Sequence, residues 1–247
     1  MSHDLRAETI RIEGHLGDEI EAYLAQPTDV RPFGSVVVIH HMPGYDEATR
    51  AMARRFADHG FAALVPNLYS REAPGMAPDD AAAIARAQGG VPDERLVGDV
   101  DGAARHLRAL DGSNGKVGVI GHCSGGRQSF LAACSLQLDA AVDCYGAFVV
   151  GNPPEGSGLS MRPIVDLAPN LSCPLLGLFG VEDKFPSPEH VGELDAALTR
   201  HGKAHEFHSF EGAGHGFFAV DRPNYRVEAA HQGWSYIFEF YGRLLAN

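Results

Sequence analysis

Two kinds of apolar patterning run along the chain. Near the N-terminus, residues 9–13 and 19–25 alternate apolar and polar side chains, with Gly17 and Asp18 between them. Alternation sends successive side chains to opposite faces, so these segments read as half-buried antiparallel edge strands joined by a turn. Further on, apolar residues come as short unbroken runs at 35–40, 62–66, 117–121 and 175–180. Runs of that kind suit strands covered on both faces, as in a parallel sheet. Residues 140–145 form a fifth run, and 204–210 a sixth with more alternation.

Helical spacing fills the gaps, at 48–59, 99–110, 125–136, 190–201 and 225–245. The last segment carries the single tryptophan, Trp234, with Ile237, Phe238, Tyr241 and Leu244 at intervals that pack a helix onto a sheet. The pattern predicts an α/β fold: a mostly parallel central sheet, helices on both faces, and antiparallel edge strands at the N-terminus. No internal repeat, low-complexity block or linker interrupts it, so residues 1–247 are expected to form a single domain. The stretch 70–94, rich in Ala, Pro and Asp, stands outside the pattern and reads as either a lid or a surface excursion.

Charge and composition narrow the partners. A formal net charge of −12 argues against nucleic acid, whose phosphates call for a basic patch. It also leaves any acidic substrate group to be caught by local arginines. The apolar runs are far shorter than the roughly 18 residues of a membrane helix, so no membrane partner is expected. Residues 1–13 are charged throughout and lack a secretory leader pattern, which points to the cytoplasm. The four cysteines are expected to be free thiols, with Cys134, Cys144 and Cys173 acting as small hydrophobes beside apolar segments. Oligomeric state has no signature in the sequence.

Cys123 differs from the other three. It sits in Gly121-His122-Cys123-Ser124-Gly125-Gly126, directly after a strand run and before a helix. This is the small-x-nucleophile-x-small form of a nucleophile elbow, with Cys where Ser is more usual. The glycines are needed because side chains two positions either side would collide with neighbouring backbone. The following helix N-terminus favours a thiolate. A base candidate is His215, in Gly212-Ala213-Gly214-His215-Gly216-Phe217 after the sixth strand. The acid candidate is Asp183, just past the strand 175–180, with Glu182 as the rival carboxylate. Cys123, Asp183 and His215 thus occur in the α/β-hydrolase order of nucleophile, acid and base. The oxyanion would be held by the backbone N–H groups of Met42, in the loop after strand 35–40, and of Ser124.

With these pieces in place the chain resembles the dienelactone hydrolase family over most of its length. The residues that carry the likeness are the elbow from Gly118 to Gly126, the segments around Asp183 and His215, and the stretch from Ala62 through Tyr69 to Arg71. The resemblance implies a single-domain α/β-hydrolase that opens lactone or ester bonds of a small-molecule substrate through an acyl-enzyme, with no metal or organic cofactor. It assigns Arg71 to a substrate carboxylate, with Arg222 as the nearest candidate for a second arginine. His41 stands where the family's prototype has a Glu that helps hold the resting Cys, and a His cannot play the same electrostatic part. His41 either contacts Cys123 or substrate or makes a structural loop bond. Tyr145 either lines the pocket or packs in the core. Arg127, one helical turn beyond Cys123, suits an ion pair. His201, His205 and His208 are too poorly aligned along their elements for a metal site. A thioesterase or acyltransferase would share the same triad, and a catalytically silent binding protein would be expected to have lost part of it.

Overall fold

The alternation near the N-terminus becomes a hairpin. In the computed structural model, which describes residues 3–156, 159 and 161–246, strand β1 (Leu5–Glu13) pairs antiparallel with β2 (Glu19–Pro27), Ile12 opposite Ile20. Residues 1, 2, 157, 158, 160 and 247 of the expected domain lie outside the described residues. The unbroken apolar runs become β3 (Phe33–Ile39), β4 (Ala62–Pro66), β5 (Ser113–His122), β6 (Ala140–Cys144) and β7 (Leu175–Gly180), followed by β8 (His205–Phe210). All eight form one sheet in the order β1-β2-β4-β3-β5-β6-β7-β8. The pairings from β4 through β8 are parallel, and only β1-β2 and β2-β4 are antiparallel.

Burial on both faces explains the unbroken apolar runs. Val36 and Val38 of β3, with Ala63 and Val65 of β4, pack against Phe56 of α1 (Glu47–Asp58) and Trp234 and Tyr241 of α6 (Val227–Leu245). Val37 and Ile39, with Ala62 and Leu64, belong to the opposite core. That core takes in Leu96 and Leu107 of α3 (Asp93–Arg108), Phe130 of α4 (Ser124–Ser135) and Leu194 of α5 (Pro188–Arg200). Each fully buried Val, Leu or Phe stabilises the fold by roughly 1.5–3 kcal/mol before ordering entropy is subtracted.

One helix escaped the sequence pattern. Helix α2 (Pro78–Ala87) lies within the stretch 70–94 and buries only Ala81, Ala82 and Ala85. Its small apolar face gives a weak stripe, although alanine is the best helix former. Helix α3 likewise begins at Asp93, well ahead of the expected 99, with Asp93 and Glu94 favourably placed in its first turn. Among the described residues no helix is long and apolar enough to cross a membrane. Because β3 through β8 run parallel, their C-terminal ends share one edge, where the connecting loops collect.

Candidate active site

The sharpest backbone feature at that edge is the turn from β5 into α4. Cys123 occupies φ 58°, ψ −122°, a conformation that costs an L-residue of order 1–3 kcal/mol. Two bonds hold it there: the Cys123 N–H donates to Cys144 O, and the Gly126 N–H donates to Cys123 O, each at 3.0 Å. The neighbouring glycines are required by close approach. A Cβ on Gly121 would lie 2.0 Å from Gly125 O, and one on Gly125 would lie 2.7 Å from Ile39 O. One on Gly126 would lie 2.3 Å from the carboxylate of Asp143. Tyr145 (φ 44°) and Phe148 (φ 64°) add two further left-handed residues at the same edge.

His215 reaches the site from the loop after β8. Its Nδ1 lies 2.9 Å from Oδ2 of buried Asp183, whose Oδ1 accepts from the Phe185 N–H at 2.9 Å. Asp183 rather than Glu182 therefore orients the imidazole, which leaves Nε2 for the cavity. Burial pulls the His215 pKa down, but hydrogen bonding and charge from Asp183 and Cys123 outweigh it and raise the pKa to about 10. An imidazolium is thus favoured beside the sulfur.

Two cavities meet beside Cys123, along Met42 and Ser124. The first, about 520 Å³, holds Cys123, Asp183 and His215 and is walled by Phe148, Leu159, Met161 and Phe185. The second, about 390 Å³, opens under α2 and the start of α3 and carries Arg86, Arg127, Arg162 and Asp93. Met42, Ser124, Leu159 and Met161 line both. Among the described residues the Met42 N–H donates to no protein acceptor. Ser124 opens α4, where first-turn amides lack helical partners.

Arg71, Arg222, His41 and Tyr145 are not among the residues that line the two cavities. Arg71 lines neither cavity: its guanidinium grips Asp99 through two bonds of 2.9 and 2.8 Å and also donates to Asp18. Asp99 is fully buried and needs that cation. Arg222 lies outside both cavities, half-exposed beside Asp221. His41 directs Nε2 to Asp46 Oδ2 at 2.9 Å instead of into either cavity. Burial pushes the Asp46 pKa up, but hydrogen bonds from His41 and Thr49 hold it at about 2. Tyr145 is buried behind the imidazole, its ring 5.2 Å from those of His215 and Phe217. Each of these side chains obeys a local demand, an ion pair or a packing contact, that a motif cannot reveal.

Other placements follow chemistry close to home. Arg127 makes a two-bond pair with Asp93 at 2.9 and 3.0 Å, although it also lines the second cavity. His205 bonds Asp195, and His208 stacks on Tyr236. All four cysteines are free, and Cys134, Cys144 and Cys173 are buried. Sequence reasoning missed Arg86 and Arg162 as cavity residues, and the apolar wall of Phe148, Leu159, Met161 and Phe185. No local motif marks them, because they come together only through the fold.

The strained cysteine at the end of a parallel strand, the His–Asp pair on neighbouring loops and the cavity between them define an α/β-hydrolase. The comparisons narrow the class. The model of the dienelactone hydrolase family matches residues 20–245, and the chain belongs to that family, whose members are lactone and ester hydrolases. It is 34% identical over 231 residues to a carboxymethylenebutenolidase-like protein of Escherichia coli K12, covering 91% of this chain and 83% of that one. It is 31% identical over 231 residues to the carboxymethylenebutenolidase of Pseudomonas putida, covering 90% and 91% respectively. The crystal structure of a dienelactone hydrolase-like protein from Klebsiella pneumoniae superposes with a TM-score of 0.84 at 28% identity, covering 97% of this chain and 99% of that one.

Proposed function

We propose that this hydrolase opens a lactone or carboxylic ester of a small molecule by acyl transfer through Cys123, within one domain spanning residues 1–247. The observation that carries the reading is the meeting of strained Cys123 with the Asp183–His215 pair on one cavity. Cys123 thiolate attacks the carbonyl carbon, and the N–H groups of Met42 and Ser124 receive the oxyanion. Collapse of the adduct breaks the ester C–O bond, and the imidazolium of His215 gives its proton to the departing alkoxide. Neutral His215 then takes a proton from water as the water attacks the thioester. Expulsion of the thiolate releases the acid, and Asp183 keeps the same tautomer throughout. A lactone yields both new groups in a single product.

The cavities support a division of the substrate. The Phe148, Leu159, Met161 and Phe185 walls suit an apolar portion, and the arginine-bearing cavity suits a portion ending in an acid group. A carboxylated dienelactone, of the kind implied by the name carboxymethylenebutenolidase, has that character. The test is hydrolysis of p-nitrophenyl acetate, a neutral lactone and a carboxylated dienelactone by wild type and Cys123→Ala. Turnover of the dienelactone that vanishes with Cys123→Ala is expected. A Cys123→Ala protein with wild-type turnover overturns the mechanism, and activity confined to the two neutral substrates overturns the substrate assignment.

A further inference from the structure

The Met42 amide has no element of regular structure to aim it. The loop after β3 nevertheless holds it on both sides. His40 Nδ1 lies 2.9 Å from the carbonyl oxygen of His41, which also accepts from the Gly44 N–H at 2.9 Å. On the far side of the residue, the Tyr69 hydroxyl donates to Met42 O at 3.0 Å. In a trans peptide the C=O of His41 and the N–H of Met42 point in opposite directions. Anchoring that carbonyl, together with the next one along, therefore fixes where the Met42 N–H points.

We infer that His40 and Tyr69 are positioning residues that clamp the two carbonyls flanking the Met42 amide and so hold that amide ready for the oxyanion. The inference rests on the reading that the Met42 N–H is an oxyanion donor.

The tautomer of His40 follows from its partners. Its Nε2 faces the Leu68 N–H at 3.2 Å and must accept, so the proton sits on Nδ1, which faces a carbonyl that can only accept. Burial draws the His40 pKa down to about 4, keeping the ring neutral. Burial likewise raises the Tyr69 pKa to about 12, keeping its hydroxyl a donor. The two rings brace one another edge to face at 4.8 Å. Gly44, at φ 104°, lets the loop lie against Tyr69, since a Cβ there would come within 3.0 Å of the ring. The Leu68 bond ties this assembly to the chain just past β4, so two neighbouring loops set one amide.

The test compares Tyr69→Phe, His40→Ala and His40→Asn with wild type. Three quantities are measured: kcat and KM for p-nitrophenyl acetate, inhibition by a trifluoromethyl ketone that forms a tetrahedral adduct, and the iodoacetamide alkylation rate of Cys123. Alkylation makes no oxyanion, so it reports the thiolate alone. Tyr69→Phe and His40→Ala are expected to lower kcat about 10- to 100-fold, since a reacting group displaced by about 1 Å costs on the order of 10²-fold. The ketone should weaken in parallel, with KM and the alkylation rate held within about twofold. His40→Asn, which keeps an N–H near the carbonyl, should recover most of the loss. Unchanged kcat, or an alkylation rate that falls as far as kcat, overturns the clamp. Should His40→Ala fail to fold, Tyr69→Phe decides alone, because it removes only the hydroxyl. An active Cys123→Ala protein would instead overturn the underlying mechanism, which keeps the two failures apart.

Discussion

The two cavities that meet beside Cys123, along Met42 and Ser124, differ in wall and in origin. One is largely apolar and takes Phe148 from the loop after β6 and Phe185 from the loop after β7, while Leu159 and Met161 line both. The other carries three arginines against one aspartate, in a chain whose formal net charge is −12, and owes its arginines in part to α2 and α4. The contrast sharpens when Arg71 is set beside Arg86. Arg71 matches a family motif and yet serves Asp99 and Asp18, whereas Arg86 matches no motif and lines the cavity. A basic residue near a site therefore says little until its own carboxylate partners are counted.

The largest effect should come from Cys123, which lines the apolar cavity next to the Met42 and Ser124 edge that both cavities share. Cys123→Ala is expected to lower turnover at least about 10⁴-fold on neutral and anionic esters alike. Loss on only one class would mean that the cavities serve different nucleophiles. Asp183→Asn comes next, with about 10²- to 10⁴-fold lower kcat, since a histidine without its carboxylate loses both tautomer and charge support. The same change should move the His215 titration, followed by NMR of labelled imidazole, down from about pH 10. The sign for stability follows from the raised pKa: the contribution is full below the ordinary histidine value and is lost as pH rises through about 10. Urea unfolding of Asp183→Asn should show that high-pH loss removed.

The arginines separate by the type of measurement. Arg71→Ala leaves Asp99 buried without its cation and is expected to cost about 3–5 kcal/mol in urea unfolding, with KM for an anionic ester unchanged. Replacing Arg86 and Arg162 by Ala should do the reverse, raising KM for the anionic ester about tenfold while leaving stability and neutral-ester KM alone. A KM shift from Arg71→Ala would restore the family's arginine to substrate binding. The smallest effect concerns Asp143, beneath Gly126. Burial raises its pKa to about 7, against a hydrogen bond from Gly146 that opposes the shift. Stability should therefore be highest below the ordinary carboxylate value and decline as pH rises toward 7, a slope that Asp143→Asn flattens in thermal melts.

Much of the frame can be read in the chain. The unbroken runs at 35–40 and 117–121 mark strands buried on both faces, because a parallel sheet leaves no wet side for polar residues. Gly121 and Gly125 mark the elbow, because the backbone there passes too close for any Cβ. Helix α2 leaves little trace in the pattern, because alanines bury a face without building a strong stripe.

Local sequence thus determined which segments are strands, where the chain must turn tightly, and the order in which Cys123, Asp183 and His215 follow their strands. Only the tertiary structure decided what those side chains touch. It turned His41 to Asp46, committed Arg71 to Asp99, and brought Arg86 to a cavity beside Cys123. The physical reason is range. Strand and turn preferences arise from a few neighbouring residues, whereas a hydrogen bond or ion pair goes to the best partner in space, and those partners meet only when distant loops are gathered at the edge of one sheet.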